Sequence, residues 1–202
     1  MKERTAWAHG TMFDVGDAYT YTAVDRETKL LACFHVGKRS SDDTNHFAEK
    51  LAACFAAGHR PQISTDGFSP YRVAIPAAFG HAVDHGVVVK QFGPNGAVDN
   101  RRYSPASIVG FKLVQNAGRP NADRICTSHV ERHNLTIRMQ NRRFTRLTNA
   151  FSKKWENHWA AVAVWFAFYN FCRVHQTLRI TPAMAAGITD HIWSIRQLLE
   201  AA

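Results

Sequence analysis

The sequence lacks the long apolar run that a membrane-spanning helix requires. Although 46% of its 202 residues are apolar, no stretch approaches the roughly 20 consecutive apolar residues that cross a bilayer. The N-terminus also lacks a basic segment followed by an apolar core, since Trp7 is soon followed by His9 and Gly10. We therefore expect a soluble, cytoplasmic protein without a secretory leader.

Cysteine is scarce, and its positions form no motif. The four cysteines contain no Cys-x-x-Cys pair, and no paired histidines lie nearby at zinc-finger spacing; they are Cys33, Cys54, Cys126 and Cys172. This spacing predicts neither a zinc site nor a disulfide framework. We interpret them as buried free thiols of a cytosolic protein.

Acidic residues are nearly absent from one long segment. Between Arg101 and Trp155 only Asp123 and Glu131 are acidic, whereas the rest of the chain is close to neutral and the net charge is +9. This segment predicts a polyanionic partner, and a solvated basic face without a ligand is the alternative. Its bases are Arg101, Arg102, Lys112, Arg119, Arg124, Arg132, Arg138, Arg142, Arg143, Arg146, Lys153 and Lys154.

Residue patterns predict a mixed α/β sheet in the first half of the chain. The predicted elements are a hairpin (18–24 and 30–36), a helix with its N-cap cluster at 41–43 (41–57), a buried strand (61–65), a helix interrupted near Pro76 (71–79) and a strand (83–92). Residues 93–127 have weak periodicity and many Gly, Pro, Asn and Arg residues. They predict a long loop or insertion.

Helical patterns dominate the remainder. The predictions are a helix from about Ser128, a core or interface helix that is apolar nearly all round (153–175), a short helix opened by Thr181-Pro182, and an amphipathic helix at 190–199 with Ile192, Ile195, Leu198 and Leu199 inward. The length suits one domain. We divide it into a core at 1–145 and a C-terminal helical segment at 146–202 packed on that core.

Two acidic residues stand where an acid is hard to justify structurally. Asp66 ends an apolar run before Gly67, and Glu131 shares a helical face with Arg138, seven residues later. Two acids and a cation in this pattern suit a divalent ion held against a phosphate. The alternative for Asp66 is a turn-forming residue before glycine. The alternative for Glu131 is an acid favoured near a helix N-terminus by the helix dipole. For His129 and His133 we favour phosphate contact or packing over metal binding, because a hard ion prefers oxygen ligands.

Several motifs in order carry a resemblance. They are Thr65-Asp-Gly-Phe-Ser-Pro-Tyr71, Glu131-Arg-His-Asn134, Arg143-Phe-Thr-Arg-Leu-Thr-Asn-Ala-Phe-Ser-Lys-Lys154, and Tyr169-Asn-Phe-Cys-Arg-Val-His175 with Thr181-Pro-Ala183. From about Gly16 to Leu199 the chain resembles transposases of the insertion-sequence-one family, within the DDE transposase and integrase group. The resemblance implies a ribonuclease H-like mixed sheet flanked by helices. It also implies DNA cleavage and strand transfer by Asp66 and Glu131, which would bind two Mg²⁺ or Mn²⁺ ions.

The resemblance extends to partners and location. It implies a homo-oligomer that acts on transposon ends and target DNA in the cytoplasm, beside the nucleoid of a bacterium or archaeon. Arg138 matches the basic position that many such enzymes direct at DNA phosphates. The candidate DNA-binding residues are Arg138, Arg132, Asn134, Arg142, Arg143, Arg146, Lys153 and Lys154.

One feature of the family pattern is not matched. In the family, the first catalytic Asp lies on an initial strand ahead of the segment matched by Met1-Lys-Glu-Arg-Thr5, so we expect a truncated chain that lacks this strand. Asp14, Asp17 and Asp25 are the nearby acids that could substitute for this first Asp. Asp17 and Asp25 match family positions that flank the second strand, where structural roles are favoured. The alternatives are an inactive DNA-binding remnant that interferes with the full-length enzyme, and a nuclease or ribonuclease H-type hydrolase with a full set of acids.

Overall fold

The structure is a computed structural model that describes residues 18–93, 108–145, 150, 152 and 154–201. The chain forms two units, one with the described residues up to Arg39 and from Ser128 onward, the other with those from Ser40 to Thr127. Both units contain helices and strands, which confirms the mixed α/β class. The ribonuclease H-like arrangement and the missing first strand stay predictions. The predicted boundary after residue 145 falls inside the first unit.

The helices and strands follow in the order expected for most of the chain. They are β1 (Tyr19–Val24), β2 (Leu31–Gly37), α1 (Ser41–Ala52), β3 (Gln62–Asp66), α2 (Tyr71–Ala78), β4 (Asp84–Phe92), β5 (Ile108–Ala117), α3 (Ser128–Gln140), α4 (Trp155–Ala167), a π-helical turn (Phe168–Cys172), α5 (Pro182–Ala185) and α6 (Ile195–Glu200). Short 3-10 turns lie at Ala122–Arg124 and Arg142–Phe144. Among these described helices, none has the length and apolar character needed to cross a bilayer.

In the first unit, β1 and β2 form the predicted antiparallel hairpin. Asp25 closes the turn between them, because its Oδ2 accepts hydrogen bonds from the backbone nitrogens of Glu27 at 3.1 Å and Thr28 at 2.7 Å. Burial raises the pKa of Asp25, but the hydrogen bonds from Thr28 and Glu27 outweigh it and hold the pKa below its ordinary value. Asp25 therefore has a structural role. Asp14 and Asp17 lie outside the described residues.

Helices α3 and α4 share one apolar core with the hairpin. Its buried members are Leu31, Val36, Ile137, Val162, Trp165, Phe166 and Tyr169. The helix predicted at 153–175 is confirmed for Trp155–Cys172, with its last residues wound as a π-helical turn. Trp159 and Val164 are 48% and 61% exposed. α4 therefore has a buried face and an exposed apolar face.

Asn170, in the π-helical turn, pairs with the backbone of β2. The nitrogen of Leu31 donates to Oδ1 of Asn170 at 3.0 Å, and Nδ2 of Asn170 donates to the oxygen of Leu31 at 3.0 Å. Both bonds are buried, so neither backbone group has water as an alternative partner. The amide thus takes the place of a neighbouring strand.

The last predicted helix is shorter than expected, and its apolar side chains do not point inward. α6 begins at Ile195 rather than Asp190, because Ser194 forms a capping box with Gln197. Ile195 and Leu199 are 62% and 69% exposed. Leu198 is half-buried, and Ile192 is exposed. The short helix after Thr181 is confirmed as α5, with Thr181 as its N-cap.

In the second unit, β3, β4 and β5 form one sheet in that order. β3 runs parallel to β4, and β5 runs antiparallel to it. The predicted strand at 83–92 is confirmed as the central strand β4, whose residues 85–88 are buried. Gly86 is required there, since a Cβ would lie 2.6 Å from the side chain of Ile125.

The prediction of a loop at 93–127 is wrong for residues 108–117, which form β5. Alternation does not reveal this strand, because consecutive apolar residues Ile108 and Val109 are exposed, as are Phe111 and Leu113. Pairing with β4, from His85–Ala117 to Phe92–Ile108, specifies the strand instead. Residues 94–107 lie outside the described residues.

α1 ends at Ala52, five residues before the predicted end. Its N-cap is Ser40, whose Oγ accepts from the nitrogen of Asp43 at 3.1 Å. After Ala52 the amides of Cys54 and Phe55 donate to carbonyls three residues earlier. This tightening ends the α-helix before its predicted end at residue 57.

Pro76 lies inside α2 and does not interrupt it. Proline has no N–H, so the carbonyl of Arg72, four residues earlier, loses its helical donor. The side chain of Asn116 on β5 supplies a replacement, with Nδ2 2.8 Å from the oxygen of Arg72. A neighbouring strand therefore compensates for the proline, which the local sequence does not reveal.

Two predictions of burial are wrong. The four cysteines form no disulfide, but Cys54 is exposed and the other three are half-buried. β3 is half-buried up to Thr65 and exposed at Asp66. Among the described strands, β4 alone pairs with β3.

Replacement of Asn170 by alanine should lower the free energy of unfolding by about 2 to 4 kcal/mol, because both backbone groups of Leu31 lose buried partners. Urea denaturation followed by circular dichroism measures this change. Asn157→Ala, which removes an exposed amide from α4, should change it by less than about 0.5 kcal/mol. If both variants lost the same free energy of unfolding, the stabilising role proposed for the Asn170–Leu31 hydrogen bonds would be contradicted.

Candidate functional site

Asp66 is the exposed last residue of β3. Its Oδ1 accepts a hydrogen bond from the backbone nitrogen of Phe68 at 3.1 Å, so the turn-forming role considered for it is realised. A carboxylate can accept about four hydrogen bonds or ligands, and one such bond leaves it able to bind a cation. Asp66 therefore forms the turn and still presents an exposed oxygen donor.

Two side chains of β3, Gln62 and Ser64, form hydrogen bonds with the segment that follows β5. Nε2 of Gln62 donates to the oxygen of Asn121 at 3.0 Å, and the nitrogen of Asn121 donates to Oε1 of Gln62 at 3.0 Å. The nitrogen of Cys126 donates to Oγ of Ser64 at 3.4 Å. The segment after β5 is thus attached to the strand that ends in Asp66.

A buried histidine lies behind the end of β3. Nε2 of His85 is 2.9 Å from Oγ1 of Thr65, and its Nδ1 is 3.2 Å from Nδ2 of Asn116. His85 is fully buried. Burial, and then the charge of Arg72, lower the pKa of His85 to about 4. The ring is therefore neutral at pH 7.

Glu131 belongs to the other unit and lies exposed in the first turn of α3. At 100° per residue, Glu131, Asn134 and Arg138 fall on one face of this helix. The buried residues of α3 are His133 and Ile137. The structure thus confirms the helix and gives Glu131 and Arg138 a common face.

His133 is a packing residue. It is 3% exposed, and its ring centroid lies 5.0 Å from that of Trp165 and 5.3 Å from that of Tyr169. Neither ring nitrogen has a hydrogen-bond partner among the described residues. Burial, followed by the charge of Arg173, lowers its pKa to about 4. Of the two roles considered for His133, the structure supports packing.

Two of the candidate DNA-binding residues line a small cleft. Asn134 and Arg138 form its wall on α3, and its volume is about 210 Å³. Oγ1 of Thr20, also in this wall, is buried and has no hydrogen-bond partner among the described residues. The other lining residues are Ala18, Tyr19, Thr22, Ile137 and Phe144. The cleft therefore combines a guanidinium and an amide.

Other candidates lie beside a wider groove of about 570 Å³. Arg142 and Arg143 line it together with apolar residues of α4 and α6. Nη1 of Arg143 also donates to Oγ of Ser152 at 2.5 Å. Arg132 and Lys154 are exposed. Arg146 and Lys153 lie outside the described residues.

The described residues hold no ready metal cluster: within 18–93, 108–145 and 154–201, no group of three His, Cys, Asp or Glu side chains could hold a metal ion. The donors that are present nevertheless suit the expected ion, because Asp66 and Glu131 are exposed carboxylates. Mg²⁺ and Mn²⁺ prefer such oxygen ligands.

Sequence reasoning missed the contacts of Thr65, His85 and Asn116. One signal for them was present, since His85 interrupts an apolar strand that continues as Val87-Val-Val89. A histidine in a buried strand requires polar partners. The identity of those partners depends on the pairing of β3, β4 and β5.

Acidification should destabilise the protein between pH 6.5 and about 4. Unfolded histidine binds a proton below its ordinary value of 6.5, whereas His85 and His133 in the folded chain do so only near 4. The unfolded state therefore binds more protons in this window, so stability falls as the pH falls. We expect a loss of about 1 to 3 kcal/mol for each histidine, measured by urea denaturation at several pH values.

His85→Gln should reduce this pH dependence to the part contributed by His133, because glutamine does not titrate. His46→Gln, at an exposed position on α1, should leave it unchanged. Identical slopes for the wild type and His85→Gln would contradict the assignment.

Comparison of the chain with protein-family models, with curated proteins and with solved structures gave no match.

Proposed function

We propose that this chain is a DNA transposase polypeptide of an insertion sequence, with Asp66 and Glu131 as metal-binding catalytic acids. The observation that supports it most is the face of α3 that presents Glu131, Asn134 and Arg138. A carboxylate for a metal ion, an amide and a guanidinium follow one another along this face. Glu131 and Arg138 are separated by about 10 Å along the helix axis, so one helix could contact both a metal ion and a neighbouring phosphate.

The cleft beside Arg138 suits a phosphate group. An arginine guanidinium donates two parallel hydrogen bonds to phosphate oxygens, and the charges strengthen them. Asn134 supplies an amide donor beside it. These are the groups that proteins use to hold a nucleic-acid backbone.

The position of Asp66 also supports the proposal. In open α/β sheets, ligands bind beyond the carboxyl ends of the strands. Asp66 stands at the carboxyl end of β3, which is parallel to β4, and it is exposed. A metal ion could reach it without displacing apolar side chains.

Divalent ions would supply the chemistry once bound, by activating the attacking oxygen and stabilising the leaving oxygen. The part of this chain is to hold the ions through Asp66 and Glu131 and the DNA backbone through Arg138 and Asn134. The basic residues Arg132, Arg142 and Lys154 are exposed and would add sequence-independent attraction to the polyanion. Transposon ends and target DNA are the proposed partners.

Strand transfer and cleavage should depend on both acids. With purified protein, labelled insertion-sequence ends and Mg²⁺ or Mn²⁺, Asp66→Asn and Glu131→Gln should each reduce product formation by about a hundredfold or more, because each removes a charged metal ligand. Asp123→Asn and Glu156→Gln remove exposed acids from the same two units. They should leave the rate within about twofold of the wild type.

The outcomes separate the proposed functions. Turnover that survives Asp66→Asn would refute the role of Asp66. Tight DNA binding without cleavage in either metal would favour the alternative, an inactive DNA-binding remnant that interferes with a full-length transposase.

Arg138→Ala should weaken DNA binding and reduce the salt dependence of the affinity by about one unit of log–log slope, because one phosphate contact is lost. Fluorescence anisotropy with labelled duplex at several salt concentrations measures both quantities. Arg196→Ala also removes one positive charge, but from α6, where Arg196 is paired with Glu200 at 2.8 Å. An equal change of slope in both variants would indicate a general charge effect and would contradict a specific contact by Arg138.

A further inference from the structure

Four polar groups form a hydrogen-bonded chain through the sheet of the second unit, beside Asp66. Nδ2 of Asn116 lies 2.8 Å from the oxygen of Arg72 and 3.2 Å from Nδ1 of His85, and Nε2 of His85 lies 2.9 Å from Oγ1 of Thr65. The three side chains belong to β5, β4 and β3. A buried histidine on the central strand therefore connects the two outer strands.

The carbonyl of Arg72 decides the direction of each hydrogen bond. It is available because Pro76 cannot donate to it. A carbonyl oxygen only accepts, so the Asn116 atom beside it is the amide nitrogen, which carries two hydrogens. One hydrogen is donated to Arg72 and the other to Nδ1 of His85, which must be unprotonated. Neutral His85 therefore carries its hydrogen on Nε2 and donates it to Thr65.

A doubly protonated His85 does not fit this environment. Its Nδ1–H would face the amide hydrogens of Asn116, so two donors would oppose each other. Burial is the main reason that the ring is not protonated, and the positive charge of Arg72 is the second. The contacts thus select one tautomer of the neutral ring.

Thr65 anchors the end of β3. β3 pairs with β4 alone among the described strands, and Thr65 directly precedes Asp66. Successive side chains of a strand point to opposite faces, so Thr65 is held on one face while Asp66 projects from the other. We infer that His85, as the Nε2–H tautomer set by Asn116, is a positioning residue for the carboxylate of Asp66. The catalytic consequence rests on the proposed function, whereas the tautomer does not.

The first experiment determines the tautomer in the full-length chain labelled with ¹⁵N-histidine. Long-range ¹H–¹⁵N spectra should show His85 protonated at Nε2 and unprotonated at Nδ1. Asn116→Asp replaces the donor with an acceptor, so the ring hydrogen should move to Nδ1. A wild-type ring with the hydrogen on Nδ1 would overturn the inference.

The second experiment measures amide hydrogen exchange at residues 66–68. His85→Leu and Thr65→Val remove the donor and the acceptor of the last bond in the chain, and each should accelerate exchange there by about tenfold or more. Thr65→Val keeps the β-branched shape, so it tests the bond even if His85→Leu fails to fold. His85→Gln places an amide donor close to the position of Nε2 and should restore protection. Unchanged exchange in Thr65→Val would overturn the inference.

The third experiment is the strand-transfer assay. Thr65→Val should lower kcat by about 10-fold to 100-fold with little change in the KM for DNA, and His85→Gln should recover most of the wild-type rate. If the residue had a purely structural role, the variant would have a smaller folded fraction, and the folded protein would keep the wild-type kcat and KM. An unchanged kcat in an active enzyme overturns the inference. If the wild type is inactive, the proposed function fails, and the tautomer and exchange results decide the inference on their own.

Discussion

The pairing between Asn170 and the backbone of Leu31 is the interaction on which the first unit depends. Its two hydrogen bonds, both 3.0 Å and buried, bind the helical segment to the hairpin. Without them, two buried backbone groups would lose their partners. The same core holds Ile137 of α3, so the helix that presents Glu131 is located by packing against the elements that Asn170 joins. An interaction far from Glu131 in the sequence thus sets the position of its helix.

Two buried histidines show different ways to keep a polar group inside the protein. His85 has hydrogen-bond partners at both ring nitrogens, whereas His133 is surrounded by aromatic rings and has none among the described residues. Both have a pKa lowered to about 4, chiefly by burial. The first connects strands of a sheet, and the second fills the core beneath α3. His85 bonds to Thr65, which precedes Asp66 in the second unit. His133 lies on the same helix as Glu131 in the first unit.

The sequence predicted elements best where local patterns and tertiary contacts agree. The hairpin, β3, β4 and α3 were all predicted, because alternation, β-branched residues and helical spacing act locally. β5 was missed because its apolar residues are exposed without alternation and because pairing with β4, not local pattern, specifies it. α6 was predicted too long because the capping box of Ser194 and Gln197 outweighs the apolar spacing before it. The continuity of α2 through Pro76 depends on Asn116, a residue on another element.

The sequence by itself determined the mixed α/β class, the concentration of positive charge, and the choice of Asp66, Glu131 and Arg138 as the residues to test. Residue type and spacing are sufficient for these, because charge and periodicity are properties of the chain. Only the tertiary structure decided that His85 is buried between Thr65 and Asn116, that His133 packs against aromatic rings, and that Asn170 completes the hairpin. Hydrogen bonds and burial depend on which segments contact each other in the folded chain. Strand pairing and core packing determine those contacts.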